Sequence, residues 1–422
     1  MPPDLSSVPD NLVIVVGGKQ CARWNEVDVD SEILTPADGF RLRIFNKGAA
    51  ALPDSVSAGA DVVMSYQGQV VLTGMIDRVH QSVHHTQGRM IEISGRDMAG
   101  QLLDCSVDIF QGQKLTLSEI ISKSLAGSGG TAGNQIPFRL GSNVPNAVLT
   151  DKTAVEPGEQ IWTAIQKAAE AEGQYVWFDP DGTLMIGNPV ADEPPPAQMP
   201  ILKLTQDGVT GVPRVISLDY LQNVEEVFSD IHILGQGTGN GQSFSAKRRN
   251  PLRSHRTLVD DKAAKYNGGA SQTLQRRRLR LAVTGQPQTQ AEAEAMADKA
   301  MHDANLQAYT LTAIVKGWTC GSGEVWRAGW RVTVSTDAID GVSGESGFWV
   351  IFGRTLKLSR HEGKTTSLKL KRFQDWMQPV KHVDQLHDAA WHAQRKAARK
   401  KERQAANQAK LNDQTAAEVS SS

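Results

Sequence analysis

Cysteine is scarce: Cys21, Cys105 and Cys320 are the only three, far apart in a chain of 422 residues. An odd, scattered set excludes a disulfide framework and a Cys-x-x-Cys metal site. It fits folding in a reducing cytoplasm, with each thiol read as a small buried apolar group. Net charge is nearly absent as well, −1 at pH 7, so nothing implies a global attraction to nucleic acid. No apolar run reaches membrane length. Leu12 to Val16 is too short for a span or for the apolar core of a secretion signal, and Met1-Pro2-Pro3-Asp4 has no basic start. Neither a signal peptide nor direct membrane insertion is expected.

Catalytic signatures are also missing. The sequence has no Gly-x-Ser-x-Gly elbow and no His-Glu-x-x-His. The pairs Glu225-Glu226 and Asp260-Asp261 are adjacent in sequence, whereas a glycosidase holds two carboxyls roughly 5–9 Å apart around a sugar. The run Gly235-x-Gly237-x-Gly239-x-Gly241 leads to Ser243-Phe244-Ser245 and Lys247-Arg248-Arg249-Asn250-Pro251. A phosphate cradle needs a helix start there, so the run reads as a loop. Gly127 to Gly133 follows a helical pattern and lacks Gly-Lys-Ser/Thr. His80 and His84 share a face of an extended segment beside His85, but no cysteine or spaced carboxylate completes a metal site. His382, His387 and His392 are five apart, a spacing that rotates around a helix. The reading is therefore no enzyme, with catalytic, cofactor-binding and metal residues all none.

What the chain does have is β-pattern, in a mainly β order with an α+β insertion. Up to about Cys105 short strands alternate: Leu12 to Val16, Phe40/Leu42/Ile44, Asp61 to Tyr66, and Gln69 to Met75 turned near Gln67-Gly68. Residues 1–105 are read as a first β-barrel domain. Residues 106–193 change character. Thr116 and Glu119 have capping-box spacing before Ile120, Ile121 and Leu125. A second helix begins after Pro157-Gly158-Glu159, carries Ile161, Trp162, Ile165, Ala168 and Ala169, and stops at Gly173. A hairpin then turns around Asp179-Pro180-Asp181-Gly182, giving a small α+β domain. Pro194-Pro195-Pro196 marks a linker. Residues 194–375 are read as a second β-barrel, with strands at Val227 to Leu234, Tyr309 to Lys316, Trp330/Val332/Val334, Phe348 to Phe352 and Leu368/Leu370, and an inserted Ala-rich helix over Glu292 to Leu306. Residues 376–422 form a basic, Ala-rich tail that is helical or disordered until a partner orders it. The basic runs Lys247 to Arg256 and Gln275 to Arg280 read as solvated surface, or as faces for an acidic partner or for passing DNA.

One ordered string is more specific than any of these patterns. Val71-Leu72-Thr73-Gly74-Met75-Ile76-Asp77 is followed by a return strand through Ile93, then, just past it, by Ser94-Gly95-Arg96-Asp97 and by Leu102-Leu103-Asp104-Cys105-Ser106. By pattern alone this is also an ordinary hairpin with charged ends, in which Gly95 suits a bend or close approach and Arg96 pairs with Asp97. As a whole, with Pro157-Gly158-Glu159 and Trp162, the Asp181-Gly182-x-Leu184 hairpin and the Trp318, Trp326 and Trp330 group around Gly321 and Gly323, the string resembles the Mu-type phage tail and baseplate hub family. That family forms the central hub of contractile tails and is related to the hub part of type VI secretion spike proteins. The resemblance has gaps through residues 134–148 and 247–275 and does not reach the tail.

The resemblance implies a structural protein of the virion, assembled in the host cytoplasm. It implies a homotrimer with two similar β-barrels per chain, joining a six-fold tail tube protein to a three-fold, membrane-piercing spike protein. Tape-measure or other baseplate proteins are possible further partners, and DNA is only passing cargo. Gly95, Arg96 and Asp97 are expected to fix a corner of the first barrel, and the three tryptophans to anchor the second. The alternatives are the hub of a phage-like injection or secretion machine, and a spike-associated cell-wall hydrolase.

Overall fold

The computed structural model describes residues 12–376, except 22–23, 47–54, 86–87, 113–114, 127–135, 143, 145, 147, 151–152, 224, 226, 229, 237–242, 250–278, 285–289, 340–341, 343–347, 360–361 and 374–375. The expected C-terminal tail, the basic runs from Asn250 to Arg278, the loop Gly127 to Gly133, and His382, His387 and His392 lie outside the described residues.

The N-terminal part is all strand: β1 (Leu12–Val16), β2 (Lys19–Cys21), β3 (Glu26–Glu32), β4 (Gly39–Asn46), β5 (Asp61–Tyr66), β6 (Gln69–His84) and β7 (Gly88–Asp97). The middle mixes helices with short strands: α1 (Ala99–Asp104), β8 (Gln111–Gly112), β9 (Leu115–Thr116), α2 (Leu117–Ala126), β10 (Phe138–Leu140), β11 (Val148–Thr150), β12 (Thr153–Ala154), α3 (Ile161–Ala171), β13 (Tyr175–Phe178), β14 (Leu184–Gly187) and α4 (Pro189–Asp192). The C-terminal part returns to strands: β15 (Ile201–Lys203), β16 (Val215–Gln222), β17 (Asp230–Gln236), β18 (Ser243–Arg249), β19 (Leu279–Thr284), α5 (Gln290–Ala308), β20 (Tyr309–Lys316), β21 (Arg331–Ser335), β22 (Phe348–Ser359) and β23 (Gly363–Arg372).

Strands from both ends of the chain make one 13-stranded sheet, in the order β16-β20-β23-β22-β3-β4-β7-β6-β5-β1-β2, with β15 and β21 branching from β22. Among the described residues this sheet does not close on itself. The branch arises because β22 serves two neighbours on one side. Phe348 to Val350 pair with β21, and Gly353 to Leu358 pair with β3. On its other side β22 pairs with β23 throughout, with the register shifting between Ile351 and Gly353. A bulge of this kind bends a strand and increases its twist.

Among the apolar clusters of the described residues, the three largest follow the sequence pattern. In the first, inward positions of β1 and β3–β7 meet: Ile14, Val27, Val29, Phe40, Leu42, Met64, Ile76 and Ile93 are buried together. Its outward face is a ladder of cross-strand charges, with Arg41 on Asp28 at 2.7 Å and Arg43 on Glu92 at 2.6 Å. The second core gathers Leu102, Leu117, Ile121, Ile161, Ile165, Leu184 and Ile186. The third gathers Leu202, Leu311, Trp326, Trp330, Ile351, Leu368 and Leu370.

Several local expectations hold. Gln67 and Gly68 both have positive φ, 50° and 78°, as the tight hairpin between β5 and β6 requires. The Thr116 N–H donates to Glu119 Oε2 at 2.8 Å, and the Glu119 N–H to Thr116 Oγ1 at 3.4 Å, closing the capping box of α2. After α3, Gly173 has φ 69°. The Gly173 and Gln174 N–H groups donate to the Glu170 and Ala169 carbonyls, both at 2.9 Å, a Schellman stop.

Others differ. The strand expected over Val227 to Leu234 is β17, and it is not in the large sheet. It lies in a small sheet of order β18-β17-β19, whose Ile231 and Ile233 pack on Ala297 and Met301 of α5. The inserted helix thus comes with three strands. Gly95 lies inside β7, not beyond it, because β4 and β6 pair with β7 as far as Arg96 and Asp97 respectively.

Gly95 is where the backbone needs glycine. A Cβ there would sit 2.0 Å from the Met75 carbonyl oxygen and 2.6 Å from the Phe40 ring. Relieving that overlap means displacing β6 or a core phenyl. Gly95→Ala should destabilise the fold by about 3 kcal/mol, measured as a shift in urea midpoint with an unchanged slope.

Candidate functional site

Chemistry concentrates where the three parts of the chain meet. The N-terminal strands supply Asp38 and Asp97, the middle part Trp177, Asp179 and Glu193, and the C-terminal strands Arg327 and Arg354. Arg354 follows the β22 bulge and is 4 % exposed. Its Nη2 donates to the Val71 carbonyl at 3.1 Å and its Nη1 to the Trp326 carbonyl. One buried guanidinium thus ties β6 to the segment before β21. Arg327 Nη1 stands 3.4 Å from Asp179 Oδ1 and 3.5 Å from Glu193 Oε2. Trp177 Nε1 donates to Glu193 Oε1 at 3.3 Å, and Trp330 Nε1 to the Pro194 carbonyl at 2.8 Å.

Burial dominates the electrostatics. It pushes the Asp97 and Asp38 carboxyls up, Asp97 further because Asp38 adds like charge beside it. Burial and Asp179 likewise push Glu193 up. The Arg354 guanidinium is pushed down to about 10 by burial, partly offset by Asp38. These are the marks of desolvated charges under-compensated by their partners. Asp97 remains fixed in place: its Oδ1 accepts the Ala99 N–H at 2.9 Å, and its own N–H donates to the Asp38 carbonyl at 2.8 Å.

The expected Arg96–Asp97 pair is replaced by a different one. Arg96 points to the opposite side of β7 from Asp97 and bridges Asp77, at 2.7 and 3.0 Å, and Asp104, at 2.6 and 3.2 Å. It therefore ties β6 to α1 just as the chain leaves the N-terminal strands. The three tryptophans are all buried, but they divide between cores. Trp326 and Trp330 lie in the third core. Trp318 packs in the first, with its ring centre 5.2 Å from that of Tyr66 and its Nε1 donating to the Lys357 carbonyl at 2.9 Å.

His80 and His84 are exposed on β6, and among the described residues no group of three metal-ligating side chains forms. Glu225 is exposed, while Glu226, Asp260 and Asp261 lie outside the described residues. Of the Gly235 to Gly241 run, Gly235 lies in β17 and residues 237–242 are not described. No described helix is long and apolar enough to cross a membrane. Of the junction residues, Asp179 falls in the Asp179-Pro180-Asp181-Gly182 turn, while Asp38, Glu193, Arg327 and Arg354 belong to no motif. Arg354 alone leaves a trace in sequence, a single charge inside the run Phe348-Trp349-Val350-Ile351-Phe352-Gly353-Arg354-Thr355-Leu356.

Comparison with known proteins places these parts in order. Residues 11–97 match a family described as Mu phage baseplate assembly protein GpP-like, N-terminal. Residues 99–188 match the second domain of baseplate hub protein gp44-like, and residues 303–374 a tail protein C-terminal domain. Over 373 residues the chain is 21 % identical to baseplate hub protein gp44 of Escherichia phage Mu, covering 88 % of this chain and 90 % of that protein. The tail protein from Neisseria meningitidis MC58 has 27 % identity and a TM-score of 0.69, over 87 % of this chain and 98 % of that one. The 43 kDa tail protein of prophage MuSo2 from Shewanella oneidensis has 18 % identity and a TM-score of 0.67, over 87 % and 99 %, a likeness of fold.

Two outcomes follow from the junction. Trp326→Ala should cost about 3–5 kcal/mol, read by calorimetry or denaturant; a fully stable variant would mean the ring anchors nothing. Asp97 has a raised pKa in the folded state, so its contribution is present below the ordinary aspartate value of about 4 and is lost as pH rises above it. Asp97→Asn should therefore flatten the fall in stability towards alkaline pH while keeping the Ala99 hydrogen bond. Parallel pH–stability curves for the two proteins would exclude this role.

Proposed function

This chain carries the domains of the Mu-type phage tail and baseplate hub family, and we propose that it is the central hub of a contractile tail: a homotrimer that adapts the six-fold tail tube to a three-fold, membrane-piercing spike. In this reading it is a structural component of the virion baseplate, assembled in the host cytoplasm, and not an enzyme. Its neighbours are the tail tube protein and the spike protein, with a tape-measure or another baseplate protein as a further contact, and DNA passes as cargo.

The observation that carries the reading is the sharing of β22 by the two sets of strands. A triangular assembly presents six equivalent positions only if each chain supplies two similar units at a fixed angle. Two β units with separate cores, joined through one strand and clamped by Arg354, supply a rigid pair. We take these units as the two barrels, with residues 1–105 and 194–375 as their extents, 106–193 as the α+β domain between them and 376–422 as the tail. Three-fold closure would cover edges that a lone chain leaves open, as closed symmetric oligomers do.

Light scattering of the purified chain tests this. The expected mass is three chains at micromolar concentration, in keeping with an obligate interface above roughly 2,000 Å². A monomer under all conditions of salt and concentration would contradict it. Failure to clear a peptidoglycan suspension is expected as well, and lysis would favour the hydrolase reading.

A further inference from the structure

Burial leaves a guanidinium donor of the junction without a partner among the described residues. Arg354 uses Nη1 and Nη2 on the Trp326 and Val71 carbonyls, but its Nε–H, equally buried, has no acceptor among the described residues. A buried donor in this state is unusual and demands a partner. Arg354 lines a cavity of about 40 Å³, together with Asp38, Asp97, Glu193 and Arg327 and walled by Trp177.

The lining selects the occupant. Whatever fills the cavity must accept a hydrogen bond from Arg354 Nε and lie beside carboxylates. An anion would accept the bond but meet Asp38, Asp97 and Glu193. A cation would suit the carboxylates but meet two guanidinium groups, and among the described residues no three ligating side chains converge. A small neutral molecule that both donates and accepts satisfies every wall. Each water needs roughly 10–15 Å³ of such space and two to four polar partners, so the volume admits two or three.

We infer that the junction is a water-binding site: two or three ordered waters accept from Arg354 Nε and donate to carboxyl oxygens of Glu193, Asp38 and Asp97. The three parts of the chain are then cemented at this point through solvent as well as through direct pairs. Water-mediated bonds are nearly as favourable in enthalpy as direct ones, and they let each side group keep its own geometry. This inference does not depend on the hub reading.

A crystal structure of the full chain at a resolution that orders solvent is the direct test. Expected are two or three peaks in the cavity, one within hydrogen-bond distance of Arg354 Nε. An empty cavity, or an ion revealed by anomalous scattering, would overturn the inference. In solution, oxygen-17 relaxation dispersion counts long-lived internal waters. Arg354→Met should lower that count by at least one relative to wild type, whereas the isosteric Glu193→Gln should retain it; an unchanged count in folded Arg354→Met would also overturn it. Should Arg354→Met fail to fold, the wild-type crystal structure decides alone.

Discussion

Everything in this molecule turns on β22 being held in common. Strands from the two ends of the chain would otherwise be independent β units joined by linkers, free to swing like domains with small interfaces. Instead Gly353 to Leu358 hydrogen-bond to β3 of one unit while Phe348 to Val350 bond to β21 of the other. Reorienting one unit against the other requires breaking a backbone ladder. The bulge near Phe352 is where the strand changes neighbour, and it places Arg354 in the gap to reach carbonyls on both sides.

A buried arginine at such a point is weak evidence for extra stability. Removing two or more charges from water costs several kcal/mol per ion, and apolar replacements are often neutral or better. What the guanidinium provides is direction: a planar fork reaches two carbonyls only in one arrangement of the units. The carboxyls of Asp38, Asp97 and Glu193, all pushed up by burial, surround it incompletely neutralised. Geometry, more than energy, is what such a junction supplies.

Much of the fold was legible in the sequence, because strand alternation and turn chemistry act locally. Leu12 to Val16, Asp61 to Tyr66 and Tyr309 to Lys316 have the ends that their patterns predict, and the capping box and Gly173 stop hold because each involves residues within a turn of one another. Long-range pairing was not legible. Nothing in the pattern of Val227 to Leu234 tells that its strand joins a satellite sheet, or that Trp318 crosses to the first core while Trp326 and Trp330 remain in the third. Adjacency in sequence suggests a pair of Arg96 with Asp97, but adjacent residues in a strand face opposite ways, and the partners of Arg96 are Asp77 and Asp104. The junction was not legible for the same reason: its charges are spread from Asp38 to Arg354 and are made a cluster only by long-range pairing.

In the proposed hub, two β units locked by β22 let a three-fold ring present six similar positions. Electron microscopy of the purified, unlabelled chain tests it most directly. Expected are end-on averages with three-fold symmetry and six lobes at near-equal angular spacing around a central opening. A monomer, or a ring whose lobes number three or lie at freely varying angles, would contradict it.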